Sequence, residues 1–269
     1  MVERARCRVS VSNVAVLEVR GVTKRYGAIT AVRDVSFVVR PGDVLGYLGP
    51  NGSGKSTTVK MLAGLMPPTS GTIVYDGADI QDDLIRYKGV VGYVPEEAHV
   101  YTYLTAPEYL RLCGRLRGVA AAALETKIDR FLKVLGLDTD RHAALSSFSK
   151  GMRQKVLLAA ALIHNPRVVI LDEPVSGLDV STALVLRTVV KELAADGRII
   201  FYSSHELDIV EKLSTRVMIL RSGQVVADDS ASNLRALMHL PSLEDVFSQL
   251  AVKDDLEAVA GEMMTAVRL

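Results

Sequence analysis

The order of apolar and polar residues predicts strands in two regions of this 269-residue chain. In the first region, short β-branched runs bounded by turn residues indicate strands at residues 16–20, 35–39, 44–48 and 72–75. In the second region, continuous apolar runs are typical of strands buried on both faces of a parallel sheet, at residues 167–171, 198–202 and 217–220.

The region between these two sets of strands is predicted to be mostly helical. Apolar residues recur three or four positions apart in several stretches from about residue 107 to residue 163. Further helices are predicted at residues 57–65, 181–195 and 243–250. Strands that alternate with helices on both sides of a helical insert predict an α/β core that carries a helical subdomain.

Charge, apolar runs and cysteine spacing argue against several classes of function. The hydrophobic content of 49% supports a buried core, and the formal net charge of +1 gives no case for a nucleic-acid surface. No apolar run approaches the roughly 18 residues of a membrane span, and the N-terminus lacks a stretch of signal-peptide length. Cys7 and Cys113 lie far apart without metal-ligand spacing, so both are expected to be reduced thiols.

A glycine-rich loop follows the strand predicted at residues 44–48. Its sequence, GPNGSGKST, matches the phosphate-loop pattern GxxxxGK[ST] in the expected strand–loop–helix context. Glycines allow backbone N–H groups to turn toward a phosphate, and the helix that begins near Lys55 adds its positive end. Lys55 supplies a charge for the β- and γ-phosphates, and Ser56 a hydroxyl for Mg²⁺. The predicted nucleotide-binding residues here are Gly49, Pro50, Asn51, Gly52, Ser53, Gly54, Lys55, Ser56 and Thr57.

Two acidic residues end the apolar strand predicted at residues 167–171. Asp172, at the strand tip, is placed to hold Mg²⁺ through its water shell. Glu173, one residue later, can orient or deprotonate the water that attacks the γ-phosphate.

These features resemble the nucleotide-binding subunit of ABC transporters over roughly residues 16–250. Several motifs occur in the family's order around the phosphate loop, and the order makes the resemblance specific. They are Tyr26 where an aromatic side chain stacks on adenine, VGYVPE at 91–96 (Q-loop), SKGMRQ at 149–154 (signature motif), SGLD at 176–179 (D-loop) and His205 (switch histidine).

The resemblance implies a fold and its domain boundaries. The fold is a P-loop NTPase core with a RecA-like mixed sheet, an antiparallel β subdomain and an inserted α-helical subdomain at about 97–163. The nucleotide-binding domain would then span 16–228, between an N-terminal extension at 1–15 and a helical tail at 229–269.

The resemblance also implies a mechanism, in which ATP lies between the phosphate loop of one subunit and the signature motif of another. Lys55, Glu173 and His205 would be catalytic. The partner's Ser149, Gly151 and Asp179 would be nucleotide contacts, and the metal would involve Ser56, Asp172 and Glu96. ATP closes the dimer and hydrolysis opens it. The implied partners are a second nucleotide-binding subunit, identical or different, and integral membrane transport subunits, on the cytoplasmic face of the cell membrane.

The sequence departs from the family pattern at two places. Position 96 is Glu where most members have Gln, and an ionised Glu can accept hydrogen bonds but not donate them. The signature motif has Lys150 and Met152 but keeps Ser149 and Gly151. Both departures look like those of the exporter branch whose ATPase chain is separate from its membrane chains, which favours an exporter subunit.

Two other functions remain open. A soluble ABC-type ATPase acting on ribosomes or nucleic acid usually has two cassettes, long coiled coils or zinc insertions, and the sequence shows none of these. A non-catalytic partner in a heterodimer would have a degenerate site, whereas Lys55, Asp172, Glu173 and His205 are all present.

Overall fold

The computed structural model of the protein describes residues 15–251 and 263–267. Most of the predicted N-terminal extension and part of the predicted tail lie outside these residues. Within them the strands are β1 (Leu17–Tyr26), β2 (Ile29–Val39), β3 (Val44–Leu48), β4 (Ser70–Tyr75), β5 (Ala78–Asp79), β6 (Val91–Val94), β7 (Val168–Asp172), β8 (Ile199–Ser203), β9 (Arg216–Arg221) and β10 (Gln224–Asp229). The helices are α1 (Lys55–Leu62), α2 (Leu84–Val90), α3 (Ala106–Leu116), α4 (Ala121–Val134), α5 (Lys150–Leu162), α6 (Val180–Ala195), α7 (Leu207–Leu213), α8 (Ala231–Met238) and α9 (Leu243–Ala251).

The central layer of the fold is a mixed sheet in the order β10-β9-β3-β8-β7-β6. Strands β9, β3, β8, β7 and β6 are parallel, and β10 pairs antiparallel with β9 at one edge. Every residue of β3, β7 and β8 is buried, as expected for strands covered on both faces. Because these strands are parallel, the residues at their carboxyl ends meet at one edge of the sheet, which is where ligands of open α/β sheets usually bind.

A separate antiparallel sheet, in the order β2-β1-β4-β5, covers one face of the central layer. Its core side chains, among them Val19, Phe37 and Ile73, form one cluster with Tyr47 and Phe201 of the central sheet. The strands predicted at 16–20 and 35–39 are the buried halves of a longer β1–β2 hairpin. The sequence pattern missed the rest because the other halves are more exposed and lack continuous apolar residues.

Helices α6 to α9 cover the other face of the central sheet, and their apolar side chains share a core with it. The insert between β6 and β7 contains α3, α4 and α5, which pack around a third cluster that includes Leu110, Leu124 and Val156. Helix α5 connects the insert to the sheet because its Leu158 belongs to the sheet core while Val156 faces the insert. The predicted fold class is therefore confirmed: a mixed sheet with an antiparallel β layer and a helical insert.

Some elements differ from the prediction. The helix predicted at 57–65 is α1, which begins at Lys55 and ends at Leu62, before Gly64 with a φ of 66°. The elements α2, α7, α8, β5, β6 and β10 were not predicted, since each is too short to show a clear periodic pattern.

Candidate functional site

The phosphate-loop sequence forms a tight turn between β3 and α1. Gly52 and Gly54 have φ angles of 76° and 104°, in the left-handed region that other residues avoid. A Cβ atom at Gly54 would lie 2.4 Å from the carbonyl oxygen of Ala31, and one at Gly49 would lie 2.4 Å from Ser53 Oγ. Glycine is therefore required at these positions by the backbone conformation and by close packing.

The loop also contains a polar group with no partner inside the protein. The Ser53 hydroxyl is buried, and none of the described residues makes a hydrogen bond with it. A buried hydroxyl without a partner carries a free-energy cost, which no described residue offsets here.

The Lys55 side chain lies across the mouth of this loop. Its Nζ donates hydrogen bonds to the carbonyl oxygens of Gly49 at 2.5 Å and Pro50 at 3.2 Å. Burial lowers the pKa of Lys55, and the carboxylates of Glu173, Asp172 and Glu96 act in the opposite direction. The ammonium group is thus held beside the loop and within the field of three acidic side chains.

The two acids at the end of β7 are buried beside the phosphate loop. Asp172 is 3% exposed and Glu173 is 6% exposed. Burial raises the pKa of Asp172 to about 6; the negative charges of Glu96 and Glu173 add to this effect, and Lys55 opposes it. A carboxylate held in this way is poised to gain a cationic partner, because a nearby positive charge would favour its ionised form.

The Glu173 carboxylate is fixed by two neighbouring side chains. Its Oε1 lies 2.9 Å from Nδ1 of His205, and its Oε2 accepts a hydrogen bond from the Ser204 hydroxyl at 3.1 Å. Its backbone has a φ of 46°, an uncommon value for a residue other than glycine, and its N–H donates to the carbonyl oxygen of Ser203 at 2.9 Å. Adjacent strands β7 and β8 therefore hold Glu173 and His205 together, although 32 positions separate them in the sequence.

One cavity of about 610 Å³ contains most of the predicted site residues. All residues of the phosphate loop except Ser53 line it, together with Glu96, Asp172, Glu173 and His205. Ala31 and Phe247 also line it, and sequence reasoning did not select either residue. Phe247 comes from α9 in the tail, and no local motif indicates that this helix reaches the cavity.

The signature motif and the D-loop lie outside this cavity and contact each other. Ser149 caps the N-terminus of α5 by accepting a hydrogen bond from the N–H of Met152 at 3.2 Å. Lys150 Nζ donates to the Ser176 hydroxyl at 3.0 Å, and a Cβ atom at Gly151 would lie 2.5 Å from the carbonyl oxygen of Gly177. These two segments form one packed surface that does not line the phosphate-loop cavity of its own chain.

Asp179 belongs to the same surface. It caps α6 by accepting from the N–H of Thr182 at 2.9 Å, and it pairs with Lys155 at 3.2 Å. Hydrogen bonds from Ser181 and Thr182 hold the pKa of Asp179 well below its usual value. Within this chain, Asp179 thus stabilises local structure and has no direct contact with the cavity.

Tyr26 is half exposed at the end of β1. Its hydroxyl lies 3.2 Å from the sulfur of Met66, and Lys24 Nζ lies 5.6 Å from the centre of its ring. Tyr26 is not among the residues that line the cavity, so its role in stacking on adenine stays a prediction.

The donor groups at this site can be compared with those that hold metals and magnesium nucleotides. Among the described residues, no group of three or more His, Cys, Asp or Glu side chains is arranged to hold an ion. Mg²⁺ is usually bound through one or two carboxylates, water and substrate phosphates. The acidic end of β7 beside a hydroxyl-bearing phosphate loop matches that requirement.

The site combines a strand–loop–helix turn after β3 with buried acids at the end of β7, and a helical insert lies between β6 and β7. Together these features define the class of P-loop ATPases with an ABC-type cassette. Comparison with known families agrees: the family model described as "ABC transporter" matches residues 32–176. The chain belongs to the ABC transporter family and is an ABC-type ATPase, as the sequence predicted.

Named relatives support this assignment. The ABC transporter ATP-binding protein NatA of Bacillus subtilis is 34% identical over 84% of this chain and 92% of the relative. The linearmycin resistance ATP-binding protein LnrL of the same organism is 34% identical over 81% of this chain and 70% of the relative. The bacitracin transport ATP-binding protein BcrA of Enterococcus faecalis is 33% identical, also over 81% and 70%.

Solved structures show the same fold. One described as the ATP-binding subunit of an ABC transporter has a TM-score of 0.83 and 34% identity, and it covers 87% of this chain and 99% of its own. A dimeric cassette bound to ADP and Pi has a TM-score of 0.74 and 24% identity, and it covers 80% of this chain and 98% of its own. No helix among the described residues is long and apolar enough to cross a bilayer.

Proposed function

We propose that this chain is the ATP-hydrolysing subunit of a membrane exporter and that ATP drives the closure of two such subunits. The observation that carries the proposal is the single cavity that contains Lys55, Asp172, Glu173 and His205 beside the phosphate loop. This set supplies a positive charge for the phosphates, an acid to help hold Mg²⁺ and a carboxylate that can orient the attacking water, which are parts that P-loop enzymes use for phosphoryl transfer.

Each residue then has a defined role. The backbone N–H groups of the phosphate loop and Lys55 hold the β- and γ-phosphates, where Lys55 exchanges its carbonyl partners for phosphate oxygens. Ser56, Asp172 and Glu96 are the proposed Mg²⁺ residues; the ion, when bound, would neutralise charge on the phosphates. Glu173 accepts the proton of the attacking water, and His205 and Ser204 hold its carboxylate in position.

The site requires a second subunit. Ser149 and Gly151 lie outside the cavity of their own chain, at the N-terminus of α5, where free N–H groups favour an anion. In the proposed dimer they contact the γ-phosphate bound by the partner subunit, and the dimeric cassettes of similar fold support this arrangement. Tyr26 would stack on the adenine, and Asp179 would act at the dimer interface.

The exporter role rests on the relatives and on the signature sequence. Proteins at 33–34% identity are named for linearmycin resistance and for bacitracin transport. We propose that this chain likewise acts with separate integral membrane subunits, on the cytoplasmic face of the membrane. The transported substrate would be selected by those subunits.

The ATPase role is tested with Lys55→Ala and a matched variant, Lys60→Ala, which removes an exposed lysine from the same helix. Lys55→Ala is expected to lower both nucleotide affinity and turnover, whereas Lys60→Ala leaves both unchanged. Equal activity of the two variants would contradict the proposed phosphate site.

The membrane role needs a separate experiment. The reading frames beside the gene are searched for a multi-span membrane protein, and a protein of that kind is co-expressed with the chain and reconstituted with it in liposomes. ATPase activity and membrane association are expected to depend on that protein. Recovery on ribosomes, or on nucleic acid with steep salt dependence, would instead support the soluble alternative.

A further inference from the structure

One wall of the nucleotide cavity is formed by the tail helix α9. Phe247 of this helix lines the cavity of about 610 Å³. The other lining residues are polar, or apolar with smaller side chains such as Ala31 and Pro50. Phe247 therefore has the only large apolar side chain among the described residues that line this cavity. The roles proposed for the phosphate loop, the acids and His205 leave this ring without a function.

Helix α9 is fixed against the central sheet at both of its ends. Near its start, Leu243 and Val246 are fully buried in the core that the helices share with the sheet. Near its end, the carbonyl oxygen of Leu250 accepts a hydrogen bond from Nη1 of Arg221, in β9, at 3.0 Å. Because both ends are held, Phe247 in the middle of the helix has a defined position.

The Phe247 side chain is only partly buried. It packs against the core of the sheet on one side and lines the cavity on the other, whereas its neighbour Val246 is completely covered. Apolar surface that faces water carries a free-energy cost, which is removed when a ligand covers that surface. The exposed side of the ring thus offers an apolar contact to whatever fills the cavity.

The packing of α9 places Phe247 at the phosphate end of the cavity. Ala31 lines the cavity from β2, in the antiparallel layer, whereas α9 belongs to the helical layer on the opposite face of the central sheet. Helix α9 packs against α7, which begins two residues after His205. Phe247 therefore reaches the cavity from the side of His205 and its partner Glu173, where the γ-phosphate is expected.

We propose that Phe247 is a contact residue for the nucleotide, and that its ring covers the γ-phosphate end and excludes water there. This inference rests on the proposed ATPase function. Electrostatic attraction is stronger where water is excluded, so the ring would strengthen the interaction of Lys55 with the phosphates. The observations that carry the proposal are the position of Phe247 in the cavity wall, its partial burial and the anchoring of α9.

Nucleotide affinity separates this role from packing alone. Phe247→Ala and Leu250→Ala each remove an apolar side chain that packs against the same core, but Leu250 does not line the cavity. Both should lower stability in urea. Phe247→Ala alone should raise the Kd of a ribose-labelled fluorescent ATP, by about tenfold, because covering part of a phenyl ring corresponds to about one decade in affinity. Phe247→Leu, which keeps an apolar side chain, should restore most of that affinity.

Equal affinities of Phe247→Ala and Leu250→Ala would overturn the proposal. Lys55→Ala is the reference in the same assay, and it separates the two levels of inference. If Lys55→Ala weakens binding and Phe247→Ala does not, only the role of Phe247 fails. If Lys55→Ala has no effect, the proposed phosphate site fails as well.

Thiol protection tests the position of the ring. Cys7→Ser and Cys113→Ser remove the two cysteines of the chain, and Phe247→Cys or Leu250→Cys then introduces a single thiol inside or outside the cavity. A saturating concentration of the β,γ-imido analogue of ATP, with Mg²⁺, should slow maleimide labelling of the Phe247→Cys variant by about tenfold or more, since only the nucleotide-free fraction reacts. Labelling of the Leu250→Cys variant should not change.

Two comparisons decide what covers the introduced thiol. ADP, which lacks the γ-phosphate, should protect the Phe247→Cys variant less than the analogue does. Equal protection by ADP, or no protection by the analogue, would overturn the proposal. Labelling is measured at a protein concentration at which light scattering shows a monomer; protection that appears only where the chain dimerises would mean that a second copy covers the ring, and would overturn it too.

Discussion

Asp172→Asn is expected to make the protein more stable while abolishing its proposed metal-binding function. The carboxylate lies at the carboxyl end of β7, 3% exposed, in the field of Glu96 and Glu173. Burial and these charges raise its pKa from an ordinary 3.8 to about 6. Asparagine keeps the shape of the side chain and removes the charge, so the substitution relieves an electrostatic cost without leaving a cavity.

The raised pKa of Asp172 determines the size and the sign of the change in the free energy of unfolding. In the range between 3.8 and about 6 the folded protein holds a proton that the unfolded chain has released, so the stability of the unaltered protein falls as pH rises through this range. At pH values above about 6, the buried ionised carboxylate lowers the free energy of unfolding by about 3 kcal/mol, because one pKa unit corresponds to about 1.36 kcal/mol. At pH 5 about half of that penalty remains.

Urea unfolding at pH 7.5 and at pH 5, without nucleotide or metal, measures the difference in the free energy of unfolding between Asp172→Asn and the unaltered protein. Asp172→Asn should raise the free energy of unfolding by about 3 kcal/mol at the higher pH and by about half as much at the lower one. Asp82→Asn, at an exposed aspartate, is the matched control and should change it by less than about 0.5 kcal/mol at either pH. A destabilised Asp172→Asn protein, or an increase in the free energy of unfolding that does not depend on pH, would show that burial of the Asp172 charge does not lower stability.

Three further substitutions address the other parts of the site. Glu173→Gln should keep ATP binding and lower turnover by about 10²–10⁴-fold, measured as phosphate release; unchanged hydrolysis would remove Glu173 from the role of base. Ser149→Ala should cost about 1 kcal/mol of stability through the lost helix cap and should also lower hydrolysis, whereas Ser230→Ala, at the cap of α8, should cost stability alone. Glu96→Gln removes one charge that raises the pKa of Asp172, so it should stabilise the nucleotide-free protein in urea, but less than Asp172→Asn does; a loss of stability would contradict this.

The phosphate loop could be recognised from sequence because its chemistry is contiguous. A tight turn of glycines, a lysine and two hydroxyl residues must follow a strand and begin a helix, and each requirement involves neighbouring residues. The buried parallel strands were predicted for a similar reason, since burial on both faces makes every residue of β7 and β8 apolar until the functional end.

The position of the tail helix was decided only by tertiary structure. Phe247 reaches the nucleotide cavity because α9 packs against β9 and α7, an arrangement that no local pattern encodes. Strand β10, by contrast, pairs with β9 across the two-residue turn of Ser222 and Gly223, so this pairing is local, although the largely exposed residues of β10 lack an apolar strand pattern.

The chemical groups of this protein, and which of them are neighbours along the chain, can be read directly from the order of its residues. Only the tertiary structure decided that Glu173 meets His205 at 2.9 Å, and that Ser149 lies outside the cavity that contains Lys55. The physical reason is that local propensity acts over a few residues, whereas strand order and layer packing determine which distant side chains share a site.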